Sequence, residues 1–352
     1  MNRFDLTHPS AVRARAPLRL GFAGGGTDLS PFCDEHGGFV MNATVSLYAY
    51  AYLEPRKDDR VHFVALEHGE TFDHECLAEL PLGKEALLHR GVYNRIVRDF
   101  NGGQPLPVTV RTSVDVPSGS GMGGSSALVV ALVEAYRNHL RLPLGEYDVA
   151  RLAFSIERED LLLAGGKQDQ YAAAFGGFNF MEFGAEGRAI INPLRVPEAM
   201  INELEASLVL YYTGQARESA NIIETQQKNI TDQNKSSMDA MIRLKDEAVA
   251  MKESLLTCSI DRLAETLRRG WEAKKATSSA ISNSEIERIL ELAMDNGAMA
   301  GKVSGAGGGG FLMLLCPPHK RQKLVQVLAQ QQGQLLPCKF TPEGATSWRA
   351  LS

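Results

Sequence analysis

Residues 119–127 combine glycines with hydroxyl side chains in a pattern that can bind a phosphate group. The run reads Gly-Ser-Gly-Met-Gly-Gly-Ser-Ser-Ala and leads directly into the apolar segment 128–133. Because glycine lacks a Cβ atom, backbone N–H groups in such a loop can approach an anion closely, and a following helix N-terminus adds partial positive charge. We therefore predict a loop, here called the phosphate loop, that consists of Gly119, Ser120, Gly121, Met122, Gly123, Gly124, Ser125 and Ser126.

The spacing of the phosphate loop differs from the two commonest phosphate-binding motifs. Gly124 is followed by Ser125, where the Walker motif requires a lysine. The dinucleotide motif GxGxxG fits three glycines of the loop, but no acidic residue ends a clear strand about twenty residues further on. Since an isolated glycine run is also typical of a tight turn before a helix, the loop alone does not identify its ligand.

Two further glycine-rich runs flank residues that could act on a phosphate. Residues 16–28 hold Arg19 and Asp28 on either side of several glycines, and residues 302–311 lead into the apolar segment 312–315. A guanidinium group suits phosphate oxygens, and a carboxylate can hold a hydroxyl group. Three glycine-rich loops in one chain together suggest a single ligand with several negative charges.

Taken in order along the chain, these runs resemble the motifs of the GHMP kinase superfamily, named for galactokinase, homoserine kinase, mevalonate kinase and phosphomevalonate kinase. The resemblance extends from residue 16 to residue 311 and includes Gly-Lys-Gln-Asp-Gln at 166–170. It implies an α+β fold of two domains, an N-terminal mixed α/β domain at 11–213 and a C-terminal ferredoxin-like α+β domain at 214–352. It also implies ATP and Mg²⁺ as cofactors.

The same resemblance implies roles for the residues of the chemical step. Asp169 matches an aspartate that accepts or orients the proton of the substrate hydroxyl, and Arg19 matches a cation that stabilises the transferring group. The phosphate loop would bind the triphosphate of ATP. Ser125 and Glu157 take the positions of the Mg²⁺ ligands, although a shift of the alignment by one residue would give the role of Ser125 to Ser126.

A second group of residues is expected to bind the substrate. Asp28 corresponds to an aspartate that contacts sugar hydroxyls in galactokinase, but Gly25 and Gly26 replace the glutamate and histidine of the galactokinase motif. Because two polar side chains are missing there, a larger or phosphorylated sugar is favoured over galactose. Lys167 and Arg217 are candidates for binding a phosphate on the substrate. The predicted substrate residues are Gly25, Gly26, Thr27, Asp28, Lys167, Arg217, Gly307 and Gly308.

The resemblance implies an ATP-dependent sugar-phosphate kinase. The forms of the motifs favour D-glycero-D-manno-heptose 7-phosphate as the substrate and its anomeric hydroxyl as the acceptor, which would give a 1,7-bisphosphate. A kinase for an unphosphorylated sugar such as fucose or galactose is the alternative. A ligand sensor without turnover would be favoured if Asp169 or Arg19 were missing, and both are present. The sugar-type motifs count against a decarboxylase that first phosphorylates its substrate.

Composition indicates an ordinary globular protein of 352 residues. A net charge of −5 argues against a nucleic-acid-binding protein that relies on a basic surface. The five cysteines lack CxxC spacing, so neither a zinc site nor a disulfide framework is expected. The longest apolar run, 127–133, is too short to span a bilayer, so a cytoplasmic enzyme without a membrane partner is expected. The oligomeric state is left open.

The elements that position the chemistry follow from hydrophobic periodicity. A buried helix at 126–139 would follow the phosphate loop, and a helix at 147–163 would bring Glu157 toward Asp169. Strands at 178–183 and 207–212 would complete the N-terminal domain. The C-terminal domain is expected to contain helices at 216–256, 263–279 and 284–296 and to end in a β-α-β unit around a helix at 318–332.

Overall fold

The computed structural model describes residues 11–214, 219–232 and 234–351, and in this part of the chain the strands form two β-sheets. The strands are β1 (Val12–Ala23), β2 (Gly38–Pro55), β3 (Arg60–Ala65), β4 (Glu70–Glu75), β5 (Val108–Val114), β6 (Phe178–Phe183), β7 (Ala189–Pro193), β8 (Leu208–Tyr212), β9 (Ala300–Val303), β10 (Phe311–Leu315), β11 (Gln334–Leu336) and β12 (Thr346–Arg349). The helices are α1 (Phe32–His36), α2 (Leu87–Phe100), α3 (Gly124–Leu140), α4 (Glu146–Ser155), α5 (Gln168–Phe175), α6 (Glu198–Ser207), α7 (Ser219–Thr231), α8 (Lys235–Leu256), α9 (Ile260–Thr277), α10 (Ser284–Asp295) and α11 (Pro318–Leu328). A π-helical turn at Ile156–Asp160 continues α4.

The first sheet is mixed, as the sequence predicts. Its order is β12-β1-β2-β5-β3-β4, and β6 pairs with both β2 and β7. The strands β3 and β5 run parallel, whereas β1 and β2 run antiparallel. Helix α3 packs against β1 and β2, and every side chain from Ser126 to Tyr136 is buried. Because α3 is held against the sheet in this way, the phosphate loop that precedes it is fixed in place as well.

The second sheet has the order β11-β8-β10-β9, and its neighbouring strands are antiparallel. Helices α7 to α10 connect β8 to β9, the third glycine run connects β9 to β10, and α11 connects β10 to β11. Numbered along the chain, the sheet has the order 4-1-3-2 of a β-α-β-β-α-β unit. The predicted α+β fold with a ferredoxin-like C-terminal part is confirmed.

Two strands pair outside the domain in which the sequence places them. The segment 207–212 is predicted to complete the N-terminal domain, but β8 pairs with β10 and β11 in the second sheet. Strand β12 returns from the C-terminal part of the chain to pair with β1. The residue pattern of a strand predicts its two faces but not its partners, because pairing depends on residues far apart in the chain. The division of the chain between 213 and 214 stays a prediction.

The helices that the hydrophobic periodicity predicts are present, and the helix that leads to Glu157 is shorter than predicted. The described part of 216–256 forms two helices, α7 and α8. The predicted helix at 147–163 is shorter, since α4 ends at Ser155 and the π-helical turn then carries Glu157. Such turns insert one extra residue into a helix and often occur at functional sites. No helix in the described residues is long and apolar enough to cross a membrane.

Candidate active site

The three glycine runs meet at a cavity of about 560 Å³. Glycines of each run line it, including Gly25, Gly121 and Gly305. One apolar part of the lining comes from α2, β5, the loop after β5 and α3 and consists of Leu88, Val114, Val116, Pro117 and Leu128; further apolar lining residues are Leu29, Leu163, Ala164, Ile223 and Ala306. The polar lining residues include Arg19, Asp28, Glu157, Gln168, Asp169, Gln226 and Lys274. An apolar wall with a few convergent polar groups is typical of a small-molecule site.

The phosphate loop ends at the N-terminus of α3, where Gly123 adopts a φ of +74°. No side chain of the described residues caps this helix, so the N–H groups of its first turn are available to an anion. Gly121 also has a positive φ, and a Cβ atom there would lie 2.3 Å from the carbonyl oxygen of Ser304. Met122 faces the protein interior, because its side chain is buried and its carbonyl accepts the N–H of Arg19 at 3.1 Å.

Arg19 and Asp169 form an ion pair at the cavity wall. Arg19 lies on β1, and Asp169 lies in the first turn of α5. Nε of Arg19 donates to Oδ1 of Asp169 at 2.8 Å, and Nη2 lies 2.7 Å from the same oxygen. The Arg19 side chain is 5% exposed, whereas that of Asp169 is 24% exposed. The carboxylate therefore remains accessible to a ligand while the guanidinium group fixes its orientation.

Asp28 joins the first glycine run to the helix that carries Asp169. Oδ2 of Asp28 accepts the N–H groups of Lys167 at 2.8 Å and Gln168 at 3.0 Å, and Oδ1 accepts the N–H of Gly26 at 3.1 Å. A carboxylate at a helix N-terminus satisfies free N–H groups and interacts favourably with the helix dipole. Although Asp28 lines the cavity, it is 2% exposed, so its main contacts fix the position of α5.

Glu157 is buried in a small polar network at the phosphate loop. The Ser126 hydroxyl donates to Oε1 of Glu157 at 3.0 Å, and Nε2 of Gln170 donates to Oε2 at 2.5 Å. Burial raises the pKa of Glu157, because removal from water disfavours the charged carboxylate. Arg158 opposes this effect, since its Nη1 lies 3.8 Å from Oε1. A cation close to Glu157 would stabilise its charged form further.

The pair of Glu157 and Ser126 fits a hard divalent cation such as Mg²⁺. A carboxylate and a hydroxyl oxygen are ligands that Mg²⁺ prefers, and this ion usually keeps several waters and phosphate oxygens. Over the described ranges, no group of three His, Cys, Asp or Glu side chains could hold a metal. Ser126 contacts Glu157 directly, whereas Ser125 is exposed, and both side chains line the cavity, so Ser125 and Ser126 both stay candidates for this role.

Only part of the predicted substrate set lines the cavity. Gly25, Gly26 and Asp28 do so. Thr27 is fully buried, and its hydroxyl donates to the carbonyl groups of Gly24 and Phe39 at 2.8 Å each, so it holds the loop together. The remaining glycines, Gly307 and Gly308, lie against Ile281 outside the lining residues, and the N–H of Gly308 donates to the Ile281 carbonyl at 2.7 Å.

Of the two residues predicted to bind a phosphate on the substrate, only Lys167 lies in the described part of the chain. The ammonium group of Lys167 lies 3.3 Å from Sγ of Cys33 and 3.3 Å from Oδ1 of Asp34. Lys167 is therefore directed toward α1 and is absent from the cavity lining. The sequence correctly places its backbone next to the site but cannot give the direction of its side chain. Arg217 lies outside the described residues.

Two buried lysines beside the site have no counterpart in the sequence prediction. Lys274 on α9 lines the cavity, and its Nζ donates to the Gly25 carbonyl at 2.8 Å. Burial lowers the pKa of Lys274 to about 8. Lys302 donates to the Gly21 carbonyl at 2.8 Å, and burial, with Lys274 and Arg19 nearby, lowers its pKa to about 7. The cavity is therefore bordered by more buried cations than the motifs suggest.

A helical pattern in the sequence points to Lys274. The buried residues of α9 recur at intervals of three and four positions, and Lys274 continues that spacing. A lysine on the apolar stripe of an amphipathic helix must be buried, and a buried lysine requires a polar partner. The residues on this stripe are Leu263, Leu267, Gly270, Trp271, Lys274 and Thr277.

Sequence comparisons match both parts of the chain to one family. The model of the GHMP kinases N terminal domain matches residues 87–177, and that of the GHMP kinases C terminal domain matches residues 251–334. A D-glycero-alpha-D-manno-heptose 7-phosphate kinase of Campylobacter jejuni is 46% identical over 338 residues. The match covers 96% of this chain and 99% of that relative.

Solved structures agree with the sequence comparisons. A crystal structure of a D-glycero-D-manno-heptose 1-phosphate kinase from Bacteroides thetaiotaomicron has a TM-score of 0.82 and 40% identity, with 97% of this chain and 100% of that chain covered. Lactococcus lactis galactokinase in complex with galactose has a TM-score of 0.75 at 14% identity, with coverage of 96% and 95%. At such low identity, the similarity to galactokinase is evidence for the fold alone.

Proposed function

Because the chain belongs to the GHMP kinase family of ATP-dependent kinases, we propose that it transfers a phosphoryl group from ATP to the anomeric hydroxyl of D-glycero-D-manno-heptose 7-phosphate. The product would be the 1,7-bisphosphate. The name of the Campylobacter jejuni relative, which is 46% identical over nearly the whole chain, supports this substrate. Since the reaction consumes ATP, a cytoplasmic location is part of the proposal.

The observation that carries the proposal is the Arg19–Asp169 pair beside the phosphate loop. Asp169 would accept or orient the proton of the acceptor hydroxyl, which makes that oxygen a better nucleophile. Arg19 holds this carboxylate and also donates to the Gly121 carbonyl at 2.5 Å, so its charge lies close to the phosphate loop. A fixed cation at this position would stabilise the charge that develops on the transferring group.

Other residues of the cavity supply the ATP site in this proposal. The phosphate loop and the first turn of α3 would bind the triphosphate through backbone N–H groups. The apolar lining residues next to the loop, such as Val114 and Val116, would contact the nucleoside. Glu157 and Ser126 would hold Mg²⁺, which neutralises charge on the phosphates during transfer.

Gly25 and Gly26 support a substrate larger than galactose. Both line the cavity, and neither carries a side chain that would occupy it. The 25% identity to a bifunctional fucokinase of Arabidopsis thaliana covers 93% of this chain, so an unphosphorylated sugar remains the second candidate. The phosphate at the far end of the sugar is the charged group that distinguishes the first candidate from the second.

A substrate panel tests the proposal. The purified protein is incubated with ATP, Mg²⁺ and either heptose 7-phosphate, free heptose, fucose or galactose, and phosphorus NMR identifies the product. We expect a new anomeric phosphate signal beside the retained 7-phosphate signal. Faster turnover of free heptose, fucose or galactose would contradict the proposed substrate. The absence of ATP turnover with every sugar would support the ligand-sensor alternative.

A further inference from the structure

Lys274 presents a buried ammonium group to the cavity. Lys274 is 5% exposed. It lies on α9 and lines the cavity together with Gly25 and Gly26. An ammonium group has three N–H donors. Among the described residues, the ammonium group donates one hydrogen bond, to the Gly25 carbonyl at 2.8 Å. The remaining donors are thus available to an oxygen of a ligand.

The surroundings of Lys274 lack a carboxylate that would neutralise it directly. No Asp or Glu of the described residues lies within ion-pair distance of its Nζ, and the nearby Asp28 already accepts three backbone N–H groups. Arg19 acts on Lys274 as a like charge, and Lys302 is a second buried lysine close by. Because an isolated buried charge is costly, an anion in the cavity would stabilise this arrangement.

The backbone next to Lys274 is shaped to leave its ammonium group open. Gly26 has a φ of +104°, and a Cβ atom there would lie 2.9 Å from Nζ of Lys274. On the other side, Nε2 of Gln226 donates to the Thr277 hydroxyl, which in turn donates to the carbonyl of Lys274. This chain of hydrogen bonds fixes the turn of α9 that carries the lysine.

We propose that Lys274 binds the phosphate group that the sugar carries before the reaction. The inference rests on the proposed function and names the residue that distinguishes a phosphorylated sugar from a free one. Lys167, which the sequence suggests for this role, is directed toward Cys33 and Asp34 instead. Arg19, the other buried cation named in the lining, pairs with Asp169, whereas Lys274 lies at Gly25 and Gly26, where the sequence places the substrate.

The phosphate oxygens at Lys274 could come from the sugar or from ATP. Lys274 contacts the first glycine run, where Gln226 of α7 also lies close to Gly26, and among the described residues it makes no hydrogen bond to the phosphate loop. This position favours the sugar phosphate. An experiment must nevertheless measure the two ligands separately, since both carry the same chemical group.

Binding measurements on two lysine variants test the inference. Titration calorimetry gives the affinity of the unmodified protein, Lys274→Met and Lys275→Met for heptose 7-phosphate and for a non-hydrolysable ATP analogue. Lys275 is the matched control, because it loses the same charge but pairs with Glu272 and Glu287 at the surface. We expect Lys274→Met to weaken heptose 7-phosphate binding about 10- to 100-fold and to leave the ATP analogue nearly unaffected.

The outcomes separate this inference from the proposed function. If the unmodified protein does not bind or phosphorylate heptose 7-phosphate, both are wrong. If it does, but Lys274→Met binds heptose 7-phosphate normally, only the role of Lys274 is wrong. An equal loss of affinity for the ATP analogue would assign Lys274 to the nucleotide phosphates and overturn the inference.

A folding control keeps the result interpretable. Because no carboxylate of the described residues pairs with Lys274, its removal leaves no partner charge buried alone, so we expect Lys274→Met to melt close to the unmodified protein. Lys274→Arg keeps the charge and should retain more affinity for heptose 7-phosphate than the methionine variant. Equal affinity losses in both variants, at normal melting temperature, would show that packing rather than charge is important and would contradict the proposal.

Discussion

Nη2 of Arg19 lies 2.7 Å from Oδ1 of Asp169, although the two residues are 150 positions apart in the chain. The same guanidinium group donates to the Gly121 carbonyl in the phosphate loop. One side chain therefore fixes the relative positions of the carboxylate that would handle a proton and the loop that would bind ATP. A change at either end of this contact should affect the chemical step more than nucleotide binding.

We predict that Asp169→Asn lowers turnover by about 10²- to 10⁴-fold, the usual contribution of a general base. Asparagine keeps the shape of the side chain but cannot accept the hydroxyl proton. Affinity for a non-hydrolysable ATP analogue should change little, because Asp169 is not expected to bind the nucleotide. Steady-state kinetics and calorimetry measure the two quantities. Full activity in this variant would remove Asp169 from the mechanism.

Arg19→Met should also lower turnover. In the double variant Arg19→Met/Asp169→Asn, the fold-decrease in turnover should be smaller than the product of the fold-decreases of the two single variants. The reason is that both residues act on the same reacting group and contact each other directly. Turnover rates of the unmodified protein, the two single variants and the double variant give the double-mutant cycle. Independent effects would show that the ion pair is not functional.

Ser126→Ala should raise the Mg²⁺ concentration needed for half-maximal activity, because the Ser126 hydroxyl contacts Glu157. Glu157→Gln should have a similar effect. Ser125→Ala is the matched comparison, since it removes the neighbouring hydroxyl, which also lines the cavity but does not contact Glu157. Mg²⁺ titrations of activity give the result. A larger effect of Ser125→Ala would restore the ungapped alignment of the sequence.

Asp28→Ala should destabilise the protein by about 2 kcal/mol and also lower turnover. The carboxylate fixes the N-terminus of α5, which carries Asp169. Urea unfolding and kinetics measure the two effects. Asp58→Ala, which removes a carboxylate paired with Arg56 at the surface, should leave both quantities unchanged. Normal stability in Asp28→Ala would contradict the capping role.

Gly121→Ala should impair both stability and ATP binding. The glycine has a φ of +81°, and an added Cβ would lie 2.3 Å from the Ser304 carbonyl, so the loop must move. Gly69→Ala is a control with a similar φ of +67° but open space around the added atom, and it should cost only about 1 kcal/mol from backbone strain. Denaturant unfolding of the two variants separates the clash from the strain. Equal losses of stability in Gly121→Ala and Gly69→Ala would show that the close approach to Ser304 is unimportant.

The activity toward a sugar phosphate should fall as the pH rises above about 8. Burial lowers the pKa of Lys274 to about 8, with Asp28 acting to raise it and Arg19 to lower it further. Below this pH the lysine is charged and attracts the phosphate, and above it the charge is lost. The kcat/KM profile reports groups of the free enzyme. Lys274→Arg should remain charged and show no such fall, and a fall that persists above pH 8 in this variant would contradict the assignment to Lys274.

The sequence predicts the parts of the site that are built from backbone. The phosphate loop and the run that contains Gly25 and Gly26 are contiguous, so their glycine spacing is visible without a structure. The position of α3 follows from its apolar residues in the same way. These features depend on local residue types, which is the information that a single sequence contains.

Side-chain direction and long-range pairing could not be predicted. Lys167 follows two glycines next to Asp169, yet its ammonium group contacts Cys33 on α1. Lys274 stands outside every motif, and the spacing of the α9 stripe predicts its burial but not the groups that its side chain contacts. The contact between Ser126 and Glu157 depends on the π-helical turn that carries Glu157. Each of these contacts is set by how separate elements pack.

The pairing of β12 with β1 has a consequence for the newly synthesised chain. Residues Val12–Arg15 pair with Thr346–Arg349, so this edge of β1 has no partner until residues 346–349 have left the ribosome. During that time an uncovered strand edge could recruit strands of other nascent chains. Arg13 and Arg15 lie on this segment, and their like charges would repel a second copy that approached it. The two arginines thus protect an early strand until its late partner arrives.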